Sequence, residues 1–433
     1  MGLVEAVALE LSLPTNEPAT LSALRRDALT RARHRGLPTV HQEDWKYTDL
    51  AVLQTLDFTP AVAPRAVPTL PLIMSDAYRI TFINGHLLAH ESNVDDLPVG
   101  CKVRTISDVT RDEPAAFEAS LRRSKTLETK VLPALNVAAA GDGISIQLAA
   151  NCVVDRPLVV TFMNDAQEST TWSAPRIIVE AGAHSQLTLI EMHAGGDHAY
   201  CTNAFTYLAT SVGAQIQHYR ITADGPAATH LGQVEIELGR DAHVSNFVLA
   251  VGGRLVRVDI DCELAAPGAS VTLKGIFIAS DGQHVDHHTR VDHRASDTTS
   301  DEIYKGIASG DGRGVFNGKV VAHAGTQRIA ATQTSNNLLL SSTAEIDTKP
   351  ELEIYTNDIR CTHGATLGQL DEDALFYLQA RGIPRADAEA LTTFGFVHAL
   401  VSEIPYPEVR ALAARRVALS APALAGVVAG LTL

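Results

Sequence analysis

The middle of the chain repeats itself, and the repeat limits the fold more than any other feature. Small-residue corners fall at Gly182-Ala183, Gly213-Ala214, Asp241-Ala242 and Gly268-Ala269, each flanked by apolar alternation. They recur at intervals of roughly 30 residues, and another corner, Ala324-Gly325, lies two such intervals beyond the last. Between them run short apolar segments at 144–148, 158–162, 176–179, 187–190, 234–238 and 271–278, with no helical spacing. Residues 141–360 hold 20 of the 30 glycines but only 5 of the 19 prolines, as short strands joined by tight corners require. A β unit of this length cannot bury its own apolar face, so successive units must stack as coils of a parallel β-helix. A propeller blade needs about 40–50 residues, and the period is too short for one.

The flanks read differently. Over 17–35, Leu21, Leu24, Ala28 and Ala32 recur at helical spacing, with Arg25, Arg26, Arg31 and Arg33 towards a stop at Gly36 and Pro38. Pro60, Pro64, Pro68 and Pro71 predict an extended linker over 60–71. Asn84-Gly85 between two apolar runs predicts a hairpin over 80–88, and 115–132 reads as helix. Beyond 370, Ala374, Leu375, Phe376 and Leu378 predict one apolar helix face opened by Asp371-Glu372-Asp373 and closed at Gly382. Two more helices are expected over 387–401 and 407–419.

Several functions are excluded or disfavoured. A net charge of −15, from 35 Lys+Arg against 50 Asp+Glu, argues against nucleic acid and anionic lipid as partners. The five cysteines include no CxxC, which fits a reducing cytoplasm and no self-contained cluster site. Acidic residues stand where a secretion signal needs basic ones, and Ala6 breaks the myristoylation pattern. The uncharged stretch 417–433 contains Pro422, Gly426 and Gly430 and reads as a buried or partner-covered end, not a membrane anchor. Residues 310–319 fail as a P-loop, with Arg313 for the first required Gly and Val320 for the magnesium-binding hydroxyl, and read as a turn between coils. No GxSxG is present to support a hydrolase.

Two segments could carry metal chemistry. In 281–293, an extended chain puts His287 and His293 on one face with Val285, Thr289 and Val291, and His284, His288, Asp286 and Asp292 on the other. Imidazoles beside carboxylates suit zinc or iron, as in a cupin-like mononuclear enzyme, although the glutamate such a site needs is missing. They equally suit a hydrogen-bonded ladder on a β-helix. In 358–366, Cys361 and His363 at i, i+2 point the same way and offer two ligands, half a site at best; a buried Cys and a hydrogen-bonded His is the other reading.

The long stretch PELEIYTNDIRCTHGATLGQLDEDALFYLQARGI resembles the C-terminal signature of the SufB/SufD family of iron–sulfur cluster assembly proteins. TQTSNNLLLS, HVDHHTRVDH, YKGIASGDGRGVFNGKV and Trp45-Lys-Tyr-Thr48 are similar to further family segments, so the likeness spans about residues 40–405. Within the family the chain resembles the SufD branch. Gly364 follows His363 where SufB has an acidic residue, and Ala344 stands six residues before Pro350 where SufB carries a cysteine. The resemblance implies a mainly β fold: a right-handed parallel β-helix core over 140–363, between a helical and mixed region, 1–139, and a C-terminal helical region, 364–433. It also implies a non-catalytic subunit that pairs with SufB through the core and carries the ATPase SufC on its C-terminal helices. A nascent iron–sulfur cluster, or iron, would be held only transiently, with His363 the stronger and Cys361 the weaker donor at the SufB junction. The resemblance leaves open whether a flavin docks, and whether the role is purely structural.

Overall fold

The computed structural model describes residues 2–11, 17–64, 69–139, 143–165 and 169–420. Its core is a parallel β-solenoid. From Arg176–Ala181 onwards successive strands alternate between two sheets, of 11 and 10 strands among the described residues. Each coil stacks in register on the one before. His243, Ser270, Thr299, Ala330 and Arg360 occupy equivalent positions on successive coils. The core is therefore the stack expected from the period.

The corners work differently from the sequence reading. At the corner that leads into the 10-stranded sheet a left-handed residue recurs on each coil: His184, Gly213, Asp241, Gly268, Asp297 and Arg328, with φ between 54° and 76°. The N–H groups of His184, Gly213, Asp241, Gly268 and Asp297 each donate to a carbonyl of the next coil, so the corners form their own ladder. At one place the small residues are not the turning ones: His184 turns after Gly182-Ala183, whereas at Ala324-Gly325 the glycine is itself left-handed (φ 84°) and Arg328 is a second left-handed residue in the same corner. Asp297, the corner skipped in the spacing, completes the series. The requirement is positive φ, which Asp, Asn and His tolerate several-fold better than most residues; small size alone does not mark it.

Helices cover both outer faces. Leu21, Leu24, Ala28 and Ala32 of Ala19–Arg35 pack with Trp172, Phe205 and Leu231 on the 11-stranded sheet. Val397, Leu400 and Val401 of Arg385–Ser402, with Val409 and Ala413 of Pro407–Ser420, pack on Ile190, Leu249 and Ile276 of the other sheet. Strands covered on both faces need near-continuous apolar character, and Tyr200–Thr210 is buried along its whole length.

Local departures have identifiable causes. Arg25 is buried, paired with Glu17 at 2.7 Å and donating to the carbonyls of Ala138 and Ala139. The helical stretch after 114 breaks into Pro114–Arg123, Thr126–Thr129 and Val131–Ala139, because Ser124, Lys125 and Thr126 all donate to the Glu235 carboxylate at the break. Glu372–Gln379 buries only Leu375, while Phe376 is 72% exposed, so its apolar residues do not form one covered face. The expected linker opens with a strand, Thr59–Pro60, paired to Thr171–Ser173. No helix among the described residues is long and apolar enough to cross a membrane, and most of the stretch 417–433 lies outside them.

The two ends of the stack differ. At the N-terminal end, Cys101–Thr105 runs antiparallel to Gly143–Leu148, and the hairpin Tyr78–Ile83/His86–Leu87 finishes the other sheet through Asn84 and Gly85, both at positive φ. At the C-terminal end the sheets stop at Glu345–Ile354 and Ile359–Gly368, each a parallel strand with a neighbour on one side only among the described residues.

Candidate site at the open end of the solenoid

The strand His284–His293 divides its histidines between its two faces, as alternation requires. His287 points inward between Phe277 and Tyr304, ring centroids 5.6 and 5.7 Å away, and neither ring nitrogen has a partner. His293, also inward, lies 2.8 Å from Thr298 Oγ1 and 3.0 Å from Ser300 Oγ. Burial lowers both imidazoles to about 4, so both are neutral near pH 7. On the outer face His284 Nε2 lies 2.8 Å from the Thr48 hydroxyl. Asp286 accepts from Thr48 and from Arg257 Nη1 (2.9 Å) and stands 3.1 Å from His288 Nε2. A sheet separates the two pairs, so the four imidazoles do not converge. Among the described residues no three His, Cys, Asp or Glu side chains are grouped to hold a metal ion.

Cys361 and His363 sit on the last strand, Ile359–Gly368. In register, Cys361 lies beside Ala331, and His363 beside Gln333, which lies beside Glu302. Parallel in-register strands keep equivalent residues on one face. Glu302 and Gln333 are buried inside the solenoid, and His363 continues their row to the end of the stack, where it is exposed. Thr289 Oγ1 donates to Glu302 at 2.6 Å, and Gln333 Nε2 donates at 3.3 Å. Burial raises the Glu302 carboxyl to about 7, and Gln333 Oε1 is buried without a partner. The Cys361 thiol is pushed up by its own partial burial and then by the Glu302 charge, which keeps it from being a ready thiolate.

The other sequence-marked segments line this region. In the strand Arg313–Ala322, Phe316 packs on Tyr304 with centroids 4.6 Å apart. Gly318 faces Gln333, and a Cβ there would lie 2.2 Å from Gln333 Nε2, which is why glycine stands in this segment. The failed P-loop is a turn only at its start, where Gly310 has φ 60°; from Arg313 on it is that strand and not the turn expected over 310–319. Ala344 precedes the final strand of its sheet, and its methyl group cannot ligate.

Sequence reasoning missed Glu302, which no quoted motif contains, and gave no role to Gln333, which lies within TQTSNNLLLS. Their signal is spacing: Glu302, Gln333 and His363 each stand one coil after the last. It also missed a buried network near the other end. Glu191 accepts from His193 Nε2 (2.6 Å), His218 Nε2 (3.0 Å), Thr206 (2.8 Å) and Arg220. Tyr200 donates to Asp224 at 2.7 Å, and Asp224 pairs with His230 at 3.0 Å. A cavity of about 670 Å³ lies between the N-terminal segments and the outer face of the 11-stranded sheet. Its Lys130, Arg257, Arg290 and Lys319 each face carboxylates already.

The chain matches the model of the SUF system FeS cluster assembly SufBD core domain over residues 162–396, and that of the SufBD protein N-terminal region over 10–160. It is 27% identical over 383 residues to an iron–sulfur cluster assembly SufBD family protein of Synechocystis, covering 85% of this chain and 84% of the relative. It is 26% identical over 380 residues to the iron–sulfur cluster assembly protein SufD of Escherichia coli, covering 85% and 86%. With SufD of Bacillus subtilis it shares 24% identity over 417 residues, covering 91% and 92%. A two-sheet parallel solenoid flanked by helices, matched over its core and its N-terminal region, places this chain in the SufB/SufD family, with a role in iron–sulfur cluster assembly in the SUF system.

Proposed function

We propose that this chain is the non-catalytic, SufD-type subunit of a SufB–SufC–SufD assembly scaffold. The observation that carries the proposal is the row Glu302–Gln333–His363: buried in two coils and exposed in the third, where among the described residues the stack ends without a capping strand. A strand edge of this kind accepts another β protein edge to edge, and SufB fits that role. His363 then meets the partner with an imidazole nitrogen donor, and Cys361 is the secondary donor beside it. The nascent cluster, or the iron on its way to one, is cargo shared with SufB and does not stay on this chain alone. Nucleotide chemistry belongs to SufC, docked on the helices after Gly368 in the cytoplasm; the glycine-rich segment 310–319, a short turn running into a strand, offers no phosphate cradle in its place. The division of His284 and His288 from His287 and His293 gives a cupin-like enzyme no support.

The test is co-expression with SufB and SufC, followed by iron and acid-labile sulfide per purified complex. His363→Ala should leave the complex assembled and lose cluster formation. Cys361→Ser should hurt less. Wild-type levels in both variants would mean that SufB builds the cluster alone and that this strand end is only structural.

A further inference from the structure

The segment 43–48, which the cluster chemistry leaves without a task, lies across the outer face of the 11-stranded sheet and touches four neighbouring strands. The Arg257 guanidinium of Leu255–Leu264 sits 3.6 Å from the Trp45 ring centroid and donates through Nη1 to the Asp44 carbonyl at 2.7 Å. Thr48, fully buried, reaches His284 and Asp286 on the next strand. Arg313 of Arg313–Ala322 lies 5.9 Å from the Tyr47 ring centroid, and Glu43 pairs with Lys349 of Glu345–Ile354. Those strands are consecutive in the sheet, and Glu345–Ile354 is its edge at the open end.

An edge strand has one hydrogen-bonded neighbour and little cover. Only Ile346 and no other residue of Glu345–Ile354 is buried, whereas in Thr229–Leu238 all but one are. Such a strand sits at the low-stability end of a fold and opens first unless something ties it down.

We propose that residues 43–48 form a strap that positions the open edge: Trp45 and Thr48 anchor it on Arg257 and Asp286, and Glu43 tethers Lys349 on the edge strand. The N-terminal region thereby sets the edge that a second β subunit must match. Glu43, Trp45 and Thr48 are positioning residues, and the inference rests on the reading that SufB pairs at this end.

The test uses the full chain with Trp45→Ala and Thr48→Val, and their conservative counterparts Trp45→Phe and Thr48→Ser. Peptide-resolved hydrogen exchange compares 345–354 with 143–181 at the closed end, and SufB affinity is measured in parallel. The expected result is exchange about tenfold faster in 345–354 with 143–181 unchanged, SufB affinity weaker by about tenfold, and restoration in the conservative variants. Unchanged exchange in 345–354, or equal acceleration at both ends, overturns the strap. Faster exchange with unaltered SufB affinity overturns the positioning role. If the wild-type chain itself fails to bind SufB, the reading of the open end fails instead, and the exchange result alone decides the strap. Should the Trp45 and Thr48 variants not fold, Glu43→Gln, which removes only the surface tether to Lys349, must still accelerate 345–354 selectively or the proposal falls.

Discussion

The two ends of the solenoid are made from the same kind of coil and finished in opposite ways. At the closed end both sheets turn back on themselves, and the residues beneath the caps are apolar and sealed: Phe82, Ile144 and Ile146 are fully buried. At the open end parallel strands simply stop, leaving Tyr355, Leu367 and His363 exposed. A stack of parallel coils has unpaired edges wherever it ends, and a very short edge strand such as His86–Leu87 is one way to blunt one. Leaving one edge unblunted is a liability in an isolated chain and an asset in a subunit. The contrast is between an end sealed over an apolar core and an end that presents unpaired parallel strands.

The largest expected effect lies in the closed half. Arg220→Met removes the guanidinium from the buried Glu191 and leaves an uncompensated charge, which should destabilise the fold by about 3–5 kcal/mol in denaturant titration. A change below about 1 kcal/mol would show that the histidine donors suffice and that the network is redundant. Apolar truncation sharpens the contrast. Ile146→Ala, beneath the cap, should cost about 2–5 kcal/mol, whereas Leu367→Ala, 52% exposed, should stay within about 0.5 kcal/mol for the isolated chain and weaken only partner binding. Equal losses would mean that the open end is covered in the isolated chain.

The titrating groups give the comparison a sign. His193, His287 and His293 are held near 4 by burial, below the ordinary 6.5 of the unfolded chain. The unfolded state therefore binds protons that the folded state refuses, and stability should fall as pH drops from about 6.5 towards 4. Glu302 runs the other way. Its folded value near 7 exceeds its ordinary 4.5, so its burial costs nothing below 4.5, more as pH rises to about 7, and a constant amount above. Glu302→Gln should thus raise the melting temperature at pH 8 and leave it unchanged at pH 4.5; an equal shift at both would mean that packing, not charge, is involved. A small effect is also expected at the open end's outer face. Lys319→Met, which loses partly exposed pairs with Glu351 and Glu353, should change stability by no more than about 1 kcal/mol, and less in high salt.

Much of this was legible beforehand, and particular residues show why. The hairpin at Asn84-Gly85 and the helix stop at Gly36 depend on local backbone conformation, which neighbouring residues dictate. The inward and outward split of the histidine segment follows from strand alternation alone. Phe376 was misjudged because helical spacing shows which residues share a face but not whether anything covers it. The turning residue His184 lies just past the small pair Gly182-Ala183, because the backbone there needs a left-handed residue and not merely a small one. Glu302 and Gln333 were invisible because their relation to His363 exists only between coils.

The coil is written along the chain: its period, its strand alternation and its helical flanks are each set by interactions within about 30 residues. What the coils bring together follows from their stacking alone. Register set Glu302, Gln333 and His363 in one row, closed the Glu191–Arg220 network, and laid Trp45 on Arg257 from a distant part of the chain. Stacking turns residues one coil apart into neighbours, and no local pattern records which row ends buried and which ends at an open edge.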